Sequence, residues 1–349
     1  MKGLGIRKIM RAARRLAMMF GPRAVILLYH RVAESELDPY RLVVKPQNFE
    51  EHLRVIRGNG NPIRLGELVR RLREGTMPER AVCVTFDDGY QDNLYTAKPL
   101  LERYGVPATV FMTTGTIGRR REFWWDELER VFLQPGRLPG RLQMDELHLD
   151  WDLDGSSDYT EDDAQRHRAW TIRGADGPNV ARDPTPRHAV FRAIYHLVRP
   201  MNDAAQRRVL DCLLTWAGMA PAVRATHRAL EPEEIVDLER GGLLDAGAHT
   251  VNHLALSTQP AEVQREEIRR SKADLEHLLG HAVKSFAYPY GLHSEEAVGA
   301  VHEAGFEYAC ACVSTVVRRN SDLFLLPRVD VFDWDGDEFS RHLKRWFGA

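Results

Sequence analysis

The sequence has little that would set it apart from ordinary globular proteins. Its 349 residues include only four cysteines and no Cys-x-x-Cys pair, which argues against a disulfide framework or a cysteine-rich zinc site. The formal net charge of −2 gives no support for a general nucleic-acid binder. We interpret the four cysteines as reduced core residues: Cys83, Cys212, Cys310 and Cys312.

Long hydrophobic runs are absent as well. The apolar run AVILLY at 24–29 is too short to span a bilayer, and LAMMF at 16–20 is too short for the core of a secretory signal. Residues 1–23 carry seven Lys or Arg and no acid, with apolar residues at helical spacing. This segment indicates a basic amphipathic helix, either on an anionic membrane surface or packed on the domain. We therefore expect a cytoplasmic protein, with membrane association through residues 1–23 as the alternative.

Segments typical of strands and helices alternate along two parts of the chain. The first part, 24–118, contains the strand-like runs AVILLYH, AVCVTF and PATVFM. The second, 231–349, contains LLDAGAH, VKSFAY, FEYACACV and FLLPRVDV. Stretches with apolar residues at helical spacing separate most of these runs. The alternation predicts an α/β fold, a distorted (β/α) barrel of about seven parallel strands.

Residues 119–230 interrupt the alternation and form a predicted insertion. Within it, 145–163 contains nine Asp or Glu and no Lys or Arg, which predicts an irregular, solvated segment. The stretch 187–217 has apolar residues at helical spacing and predicts a helix. The predicted organisation is therefore one barrel domain, 24–118 with 231–349, that carries a long and partly helical insertion.

Several predicted strands end in residues that suit catalysis or metal binding. AVILLY is followed by His30, AVCVTF by Asp87 and Asp88, and LLDAGA by His249, with His253 four residues later. Because the carboxyl ends of parallel strands meet on one face of a barrel, we expect these side chains to lie close together.

The adjacent carboxylates of Asp87 and Asp88 need an explanation, since like charges oppose each other's ionisation. The plainer interpretation is a turn, because Asp-Asp-Gly favours one. A divalent ion would stabilise both carboxylates, and two imidazoles with one carboxylate can hold Zn²⁺ or a similar ion with an open position for water. His249 and His253 have the i, i+4 spacing that lets two rings converge on one ion. One Asp of the pair would be the third ligand and the other a proton acceptor.

Three motifs in this order resemble those of the polysaccharide deacetylase family (NodB homology, carbohydrate esterase 4). They are Thr85-Phe86-Asp87-Asp88-Gly89-Tyr90, His249-Thr250-Val251-Asn252-His253 and Phe286-Ala287-Tyr288-Pro289-Tyr290-Gly291. The resemblance covers roughly 24–115 and 232–335 and implies a distorted barrel. It also implies Asp87 as general base, a divalent metal held by Asp88, His249 and His253, and Tyr290 lining the site with its N–H near the oxyanion. We expect zinc, with cobalt or nickel as alternatives.

The sequence departs from the family pattern in two places. The arginine that many members carry two residues before the Pro-Tyr pair is Ala287 here, and the late Leu-x-His motif is missing from the strand that contains Arg328. The segment Leu28-Tyr29-His30-Arg31-Val32 resembles a permuted arrangement in which the acid lies on an N-terminal strand. We therefore predict His30 as general acid, and Arg328 as a substrate-binding residue or as the substitute for the missing arginine.

The predicted function is metal-dependent hydrolysis of an N-acetyl or other N-acyl group on an amino sugar, in a polysaccharide or a glycan precursor. One alternative is a deformylase or amidase that acts on a lipid-linked sugar or on a non-sugar amide. Another is a sugar-binding pseudoenzyme, which the missing Leu-x-His motif favours and the intact Asp87, Asp88, His249 and His253 oppose.

Overall fold

The structure is a computed structural model that describes residues 21–144, 149–153, 155–172 and 183–348. The predicted basic segment 1–23 lies outside these residues, apart from 21–23. Among the helices described, none combines the length and the apolar character that crossing a bilayer requires.

A parallel sheet forms the centre of the fold, and seven of the described strands follow one another in it in the order β13-β12-β11-β6-β5-β1-β14. The described strands are β1 (Ala24–Tyr29), β2 (Arg31–Val32), β3 (Val43–Val44), β4 (Asn61–Pro62), β5 (Ala81–Phe86), β6 (Ala108–Met112), β7 (Gly136–Arg137), β8 (Arg141–Met144), β9 (Leu149–Asp152), β10 (Asp158–Tyr159), β11 (Leu244–Ala248), β12 (Ser285–Ala287), β13 (Tyr308–Cys310) and β14 (Val329–Asp330). The short β4 pairs with the first residues of β5.

One segment connects the two edges of this sheet. Leu326 forms a parallel bridge with Cys310 of β13, and three residues later Val329 pairs with Leu27 of β1. The sheet therefore curves back on itself, which confirms the predicted distorted (β/α) barrel.

Helices pack around the barrel and also lie in the segment predicted as an insertion. Those described are α1 (Pro46–Asn59), α2 (Leu65–Glu74), α3 (Lys98–Tyr104), α4 (Trp124–Phe132), α5 (Glu161–His167), α6 (Pro186–Val198), α7 (Asp203–Trp216), α8 (Pro232–Glu239), α9 (Ala261–Leu279), α10 (Glu295–Glu303) and α11 (Gly336–Phe347). A π-helical turn, Asn93–Ala97, leads directly into α3. Outside the barrel, α1 packs on α11 and α9 on α10.

The alternation of side chains along the strands separates a helix-facing layer from the barrel interior. In β1, Val25, Leu27 and Tyr29 belong to the core beneath the helices, whereas Ala24 and Ile26 belong to an interior cluster. All six residues of β1 are buried, as expected of a parallel strand that is covered on both faces. Leu28 and His30 come two and four residues after Ile26, so the same alternation places them on the interior side.

The segment predicted as an insertion contributes most of a second hydrophobic cluster through α4, α6 and α7, and Tyr40 and Tyr90 from outside this segment also belong to the cluster. Two predictions about the segment were wrong. The acidic stretch 145–163 is not irregular in its described part, because it contains β9, β10 and the start of α5. The helix predicted over 187–217 is divided into α6 and α7, since Pro200 cannot donate a helical hydrogen bond and Asn202 caps α7 by accepting one from the N–H of Ala205 at 2.9 Å.

Two further predictions need correction. The strands expected over FEYACACV and FLLPRVDV shrink to β13 and β14, with three and two residues. All four cysteines are free, and Cys83 and Cys310 are buried as predicted, but Cys212 is exposed on α7 and Cys312 is only partly buried. The helical spacing around Cys212 does not tell which face of α7 meets the core.

Candidate active site

A cavity of about 280 Å³ lies at the carboxyl ends of the barrel strands. Its wall includes six of the seven residues that the sequence predicted for the site: His30, Asp87, Asp88, His249, His253 and Tyr290. All six lie in the segments that follow β1, β5, β11 and β12. These residues converge because the carboxyl ends of parallel strands lie on one face of a barrel.

Asp88, His249 and His253 form a group whose candidate ligand atoms all lie within 4.8 Å of one another. Nε2 of His253 is 3.2 Å from Oδ1 of Asp88, and Nε2 of His249 is 3.7 Å from the same oxygen. That oxygen is buried and has no hydrogen-bond partner among the described residues. A buried, unsatisfied carboxylate oxygen that faces two imidazole nitrogens fits a divalent cation.

The tautomer of His249 supports the same interpretation. Its Nδ1 lies 2.7 Å from the carbonyl oxygen of Ala287, and since a carbonyl can only accept, Nδ1 must donate. Nε2 of the neutral ring is then left with its lone pair directed toward the carboxylates, the arrangement in which metal-binding histidines are usually held. Burial lowers the pKa of His249 to about 4, which keeps the ring neutral. Burial acts against the charge of Asp88, but attraction from the neighbouring imidazoles, that of His253 first, outweighs it and lowers the pKa of that carboxyl.

Asp87 is engaged by a different partner. The guanidinium of Arg328 donates to Oδ1 of Asp87 at 2.6 Å and to Oδ2 at 2.7 Å, and both side chains are almost completely buried. Burial raises the pKa of Asp87, yet the charges of Arg328 and His249 outweigh it and bring the pKa to about 2. Arg328 is buried and does not line the cavity, and its role as a substrate-binding residue stays a prediction. The alternative, that Arg328 substitutes for the missing arginine, stays a prediction.

Backbone strain is concentrated in this region. Six non-glycine residues among those described have positive φ, and four of them belong to the site: Asp88 (74°), Thr250 (64°), His253 (55°) and Tyr290 (58°). Such conformations are held only where the surrounding structure imposes them, at about 1–3 kcal/mol each. The two histidines therefore converge through a loop with two left-handed residues, and not through the helical turn that their i, i+4 spacing suggested.

Gly89 allows the chain to leave the site immediately after Asp88. Its φ is 80°, and a Cβ at this position would lie 2.6 Å from Sδ of Met112. The expectation of a turn after the two carboxylates is therefore correct as geometry.

The backbone around His30 is fixed by residues that follow the two carboxylates. Nδ2 of Asn93 donates to the carbonyl of His30 at 2.9 Å, and Oδ1 of Asp92 accepts from the N–H of Val32 at 3.0 Å. The other oxygen of Asp92 binds Nε of Arg31 at 3.0 Å. Asn93 begins the π-helical turn, an irregularity that often accompanies functional sites. One short segment, 87–93, thus connects the carboxylates with the segment that carries His30.

An aromatic part of the cavity wall was missed by sequence reasoning. It is formed by Tyr40, Trp125 and Tyr195, with Leu42 and Ile172 beside them. The rings of Tyr40 and Tyr195 stack at 5.5 Å, and the ring of Trp125 lies 4.7 Å from that of His253. In the sequence, the adjacent pair Trp124-Trp125 was the one available signal of an aromatic wall. Helical spacing could not show whether these rings face the cavity.

Comparison with known proteins gives a consistent result. The family model described as polysaccharide deacetylase matches residues 74–135 and 206–309. The chain is 32% identical over 108 residues to the Bacillus subtilis protein named "Putative polysaccharide deacetylase YxkH", which is 30% of this chain and 37% of that protein. It is 24% identical over 127 residues to a Staphylococcus aureus poly-beta-1,6-N-acetyl-D-glucosamine N-deacetylase, which is 34% and 43% of the two chains. These matches span less than half the length of either relative.

Solved structures resemble the fold over almost the whole chain. The Streptococcus pyogenes deacetylase PplD, in complex with acetate, has a TM-score of 0.55 at 16% identity and covers 92% of this chain and 98% of its own. IcaB from Ammonifex degensii has a TM-score of 0.56 at 18% identity, with coverage of 94% and 98%. At such identities the similarity concerns the fold, and it agrees with the distorted barrel.

Proposed function

Because this chain carries a domain of the polysaccharide deacetylase family, we propose that it hydrolyses the N-acetyl group of an amino sugar within a glycan. One observation carries the proposal: Asp87 and the group formed by Asp88, His249 and His253 lie together on the wall of one cavity. A general base beside a three-residue ligand set is what hydrolysis of an unactivated amide needs.

Asp88, His249 and His253 would hold the divalent ion, and the three side chains are 98%, 99% and 94% buried. The ion, when bound, would supply Lewis acidity toward the amide carbonyl and lower the pKa of water. The neutral ring of His249 and the ionised carboxylate of Asp88 are in the protonation states that ligands require.

Asp87 would accept the proton of the attacking water. Its pKa of about 2 makes it a weak base on its own, but it also keeps the carboxylate ionised at every pH at which the enzyme would work. Arg328 binds both carboxylate oxygens and so fixes their orientation toward the cavity. In this proposal the function of Arg328 is to hold Asp87 ionised and in place.

His30 lies on the wall of the same cavity and would donate a proton to the departing amine. An amine leaves readily only when it is protonated, so an acid is needed on the side of the leaving group. The backbone N–H of Tyr290, a residue with a left-handed φ of 58°, would stabilise the negative charge that develops on the carbonyl oxygen.

The aromatic wall of Tyr40, Trp125 and Tyr195 supports a sugar as the substrate. The apolar faces of pyranose rings pack well on aromatic side chains, and about 280 Å³ is near the lower end of the ~300–1,000 Å³ typical of ligand pockets. Since Trp125 and Tyr195 belong to the segment predicted as an insertion, we assign to that segment a part in forming the substrate cavity.

The proposal is tested by incubating the zinc-loaded protein with a panel of N-acetylated amino-sugar oligomers, N-formylated analogues and lipid-linked sugars. Mass spectrometry of the products would identify the acyl group that is lost. Loss of acetyl from the oligomers is the expected result. Loss of formyl alone would favour the deformylase alternative, and sugar binding without any product would favour a pseudoenzyme.

A further inference from the structure

The loop between the two candidate histidine ligands depends on a buried carboxylate that lies outside the three sequence motifs. Glu267 lies on α9 and is 94% buried. Its Oε2 accepts hydrogen bonds from the backbone N–H groups of Val251 at 3.0 Å and Asn252 at 2.8 Å. Its Oε1 accepts from Nδ2 of Asn252 at 2.7 Å. The helix thus directs one carboxylate at the middle of the His249–His253 segment.

These bonds stabilise a segment that is otherwise unfavourable. Thr250 and His253, on either side of the two bound N–H groups, both have left-handed φ values, 64° and 55°. Positive φ is uncommon outside glycine and is a clear outlier for the β-branched Thr250, so the loop needs partners that define its path. The N–H of His253 donates to Oγ1 of Thr250 at 2.9 Å, which closes the turn from within.

The carbonyl side of the loop is held by a second segment. The N–H of Thr114 donates to the carbonyl of Thr250 at 3.1 Å, and that of Gly115 to the carbonyl of Val251 at 2.7 Å. The backbone at Gly115 passes very close to the loop, since a Cβ on Gly115 would lie 2.5 Å from the Val251 oxygen. The loop is therefore held between the 114–115 backbone, which supplies donors, and Glu267, which supplies the acceptors.

We infer that Glu267 is a positioning residue for the candidate metal site, in which its carboxylate sets the separation of the His249 and His253 rings. The inference rests on the proposed function, because it assumes that these histidines are ligands. Glu267 itself would not touch the ion or the substrate. Its contribution would be to fix the backbone from which His253 projects, so that the second imidazole approaches Asp88 without further rearrangement.

The test is the affinity for Zn²⁺, measured by competition with a chromophoric chelator, alongside the thermal unfolding midpoint. Glu267→Ala removes all three hydrogen bonds and should weaken Zn²⁺ binding about 10- to 100-fold, the range seen for groups that orient ligands. Glu267→Gln keeps an acceptor for the backbone N–H groups and should give a smaller loss. Asn252→Ala removes only the side-chain bond and should weaken binding less than Glu267→Ala.

The matched control is Glu276→Gln on the same helix. Glu276 also accepts a backbone hydrogen bond, from Val283 at 2.9 Å, but it lies outside the loop and the cavity. This variant should bind Zn²⁺ with wild-type affinity. If Glu267→Ala or Glu267→Gln lowers the unfolding midpoint but leaves the Zn²⁺ affinity unchanged, the carboxylate serves only stability and the inference is overturned. A wild-type protein that binds no divalent ion would instead contradict the proposed function on which the inference rests.

Discussion

Arg328 and Asp87 form a buried ion pair in which two guanidinium nitrogens meet two carboxylate oxygens at 2.6 and 2.7 Å. Both side chains are at least 97% buried, so solvent does not screen the interaction. The residues are 241 positions apart in sequence, one directly after β5 and the other directly before β14. The pair therefore joins the segment that closes the barrel to the proposed general base.

Replacing Arg328 should change the pH dependence of the reaction. With Arg328 present the pKa of Asp87 is about 2, so the carboxylate stays ionised through the range in which activity is measured. In Arg328→Met, burial raises the pKa of Asp87 without the main opposing charge, so the acid limb of kcat/KM should move to higher pH. Arg328→Lys should move it less. An unchanged acid limb in Arg328→Met would contradict this role.

The same ion pair should also govern stability at acid pH. The folded-state pKa of Asp87 is below the value of about 3.9 expected of an unfolded chain. The stabilisation is therefore complete above that value and is lost as the pH falls toward 2. At neutral pH, Arg328→Met should lower the free energy of unfolding by about 3–5 kcal/mol because a buried carboxylate loses its partner. Denaturant titration of the wild type and of Arg328→Met at pH 7 and pH 3 would measure both effects. If Arg328→Met loses the same free energy of unfolding at the two pH values, the stabilisation does not depend on the ionisation of Asp87.

His30 should matter more for amides than for activated esters. A nitrophenolate leaves without protonation, whereas an amine needs an acid. His30→Ala should therefore lower kcat/KM for an N-acetylated sugar by about 10²- to 10⁴-fold and lower that for an aryl acetate much less. Assaying both substrates with the same preparation controls for folding and metal content. An equal loss on the two substrates would argue against His30 as the acid.

Gly89 should be sensitive to substitution for reasons of geometry. An alanine there would have to adopt a φ of 80° and place its Cβ 2.6 Å from Sδ of Met112. We expect Gly89→Ala to lower the free energy of unfolding by more than the roughly 1–2 kcal/mol that left-handed backbone alone costs an L-residue. Gly105→Ala is the control, since Gly105 has a φ of 61° and no heavy atom within 4 Å of a Cβ. Equal losses in the two variants would mean that Met112 moves aside freely.

The aromatic wall should affect substrate affinity more than turnover. Tyr195→Ala removes one ring of the stacked pair with Tyr40. The KM should rise about 2- to 10-fold with little change in kcat, since an aromatic contact contributes ~0.5–1.5 kcal/mol. Tyr95→Ala, at an exposed tyrosine outside the cavity, is the control. A lower kcat with unchanged KM would show that Tyr195 acts on the chemical step.

Much of the barrel could be predicted because its strands carry simple signals. AVILLY and AVCVTF are short, β-branched and fully buried, and the residues that follow them had to meet on one face once the sheet was parallel. The predicted positions of Asp87, Asp88, His249 and His253 followed from that rule together with the family resemblance.

What could not be predicted depends on long-range packing. The partnership of Arg328 with Asp87 requires the 326–330 segment to meet β1, and the sequence near Arg328 carries no sign of this. The orientation of Tyr195 toward the cavity and of Cys212 toward solvent depends on how α6 and α7 pack, because apolar spacing alone does not identify the packing partner. The loop between the histidines adopts its path through Glu267, a residue 14 positions beyond His253.

In the proposed reaction, Asp87 performs the proton transfer beside an ion held by Asp88, His249 and His253. The most direct measurement is acetate release from an N-acetylated amino-sugar oligomer by wild-type protein and by Asp87→Asn, each with the same measured zinc content. We expect steady release by the wild type, loss of that release after chelation with recovery on adding zinc, and almost none by Asp87→Asn. Equal rates for the two proteins, or a wild-type rate that chelation does not change, would contradict it.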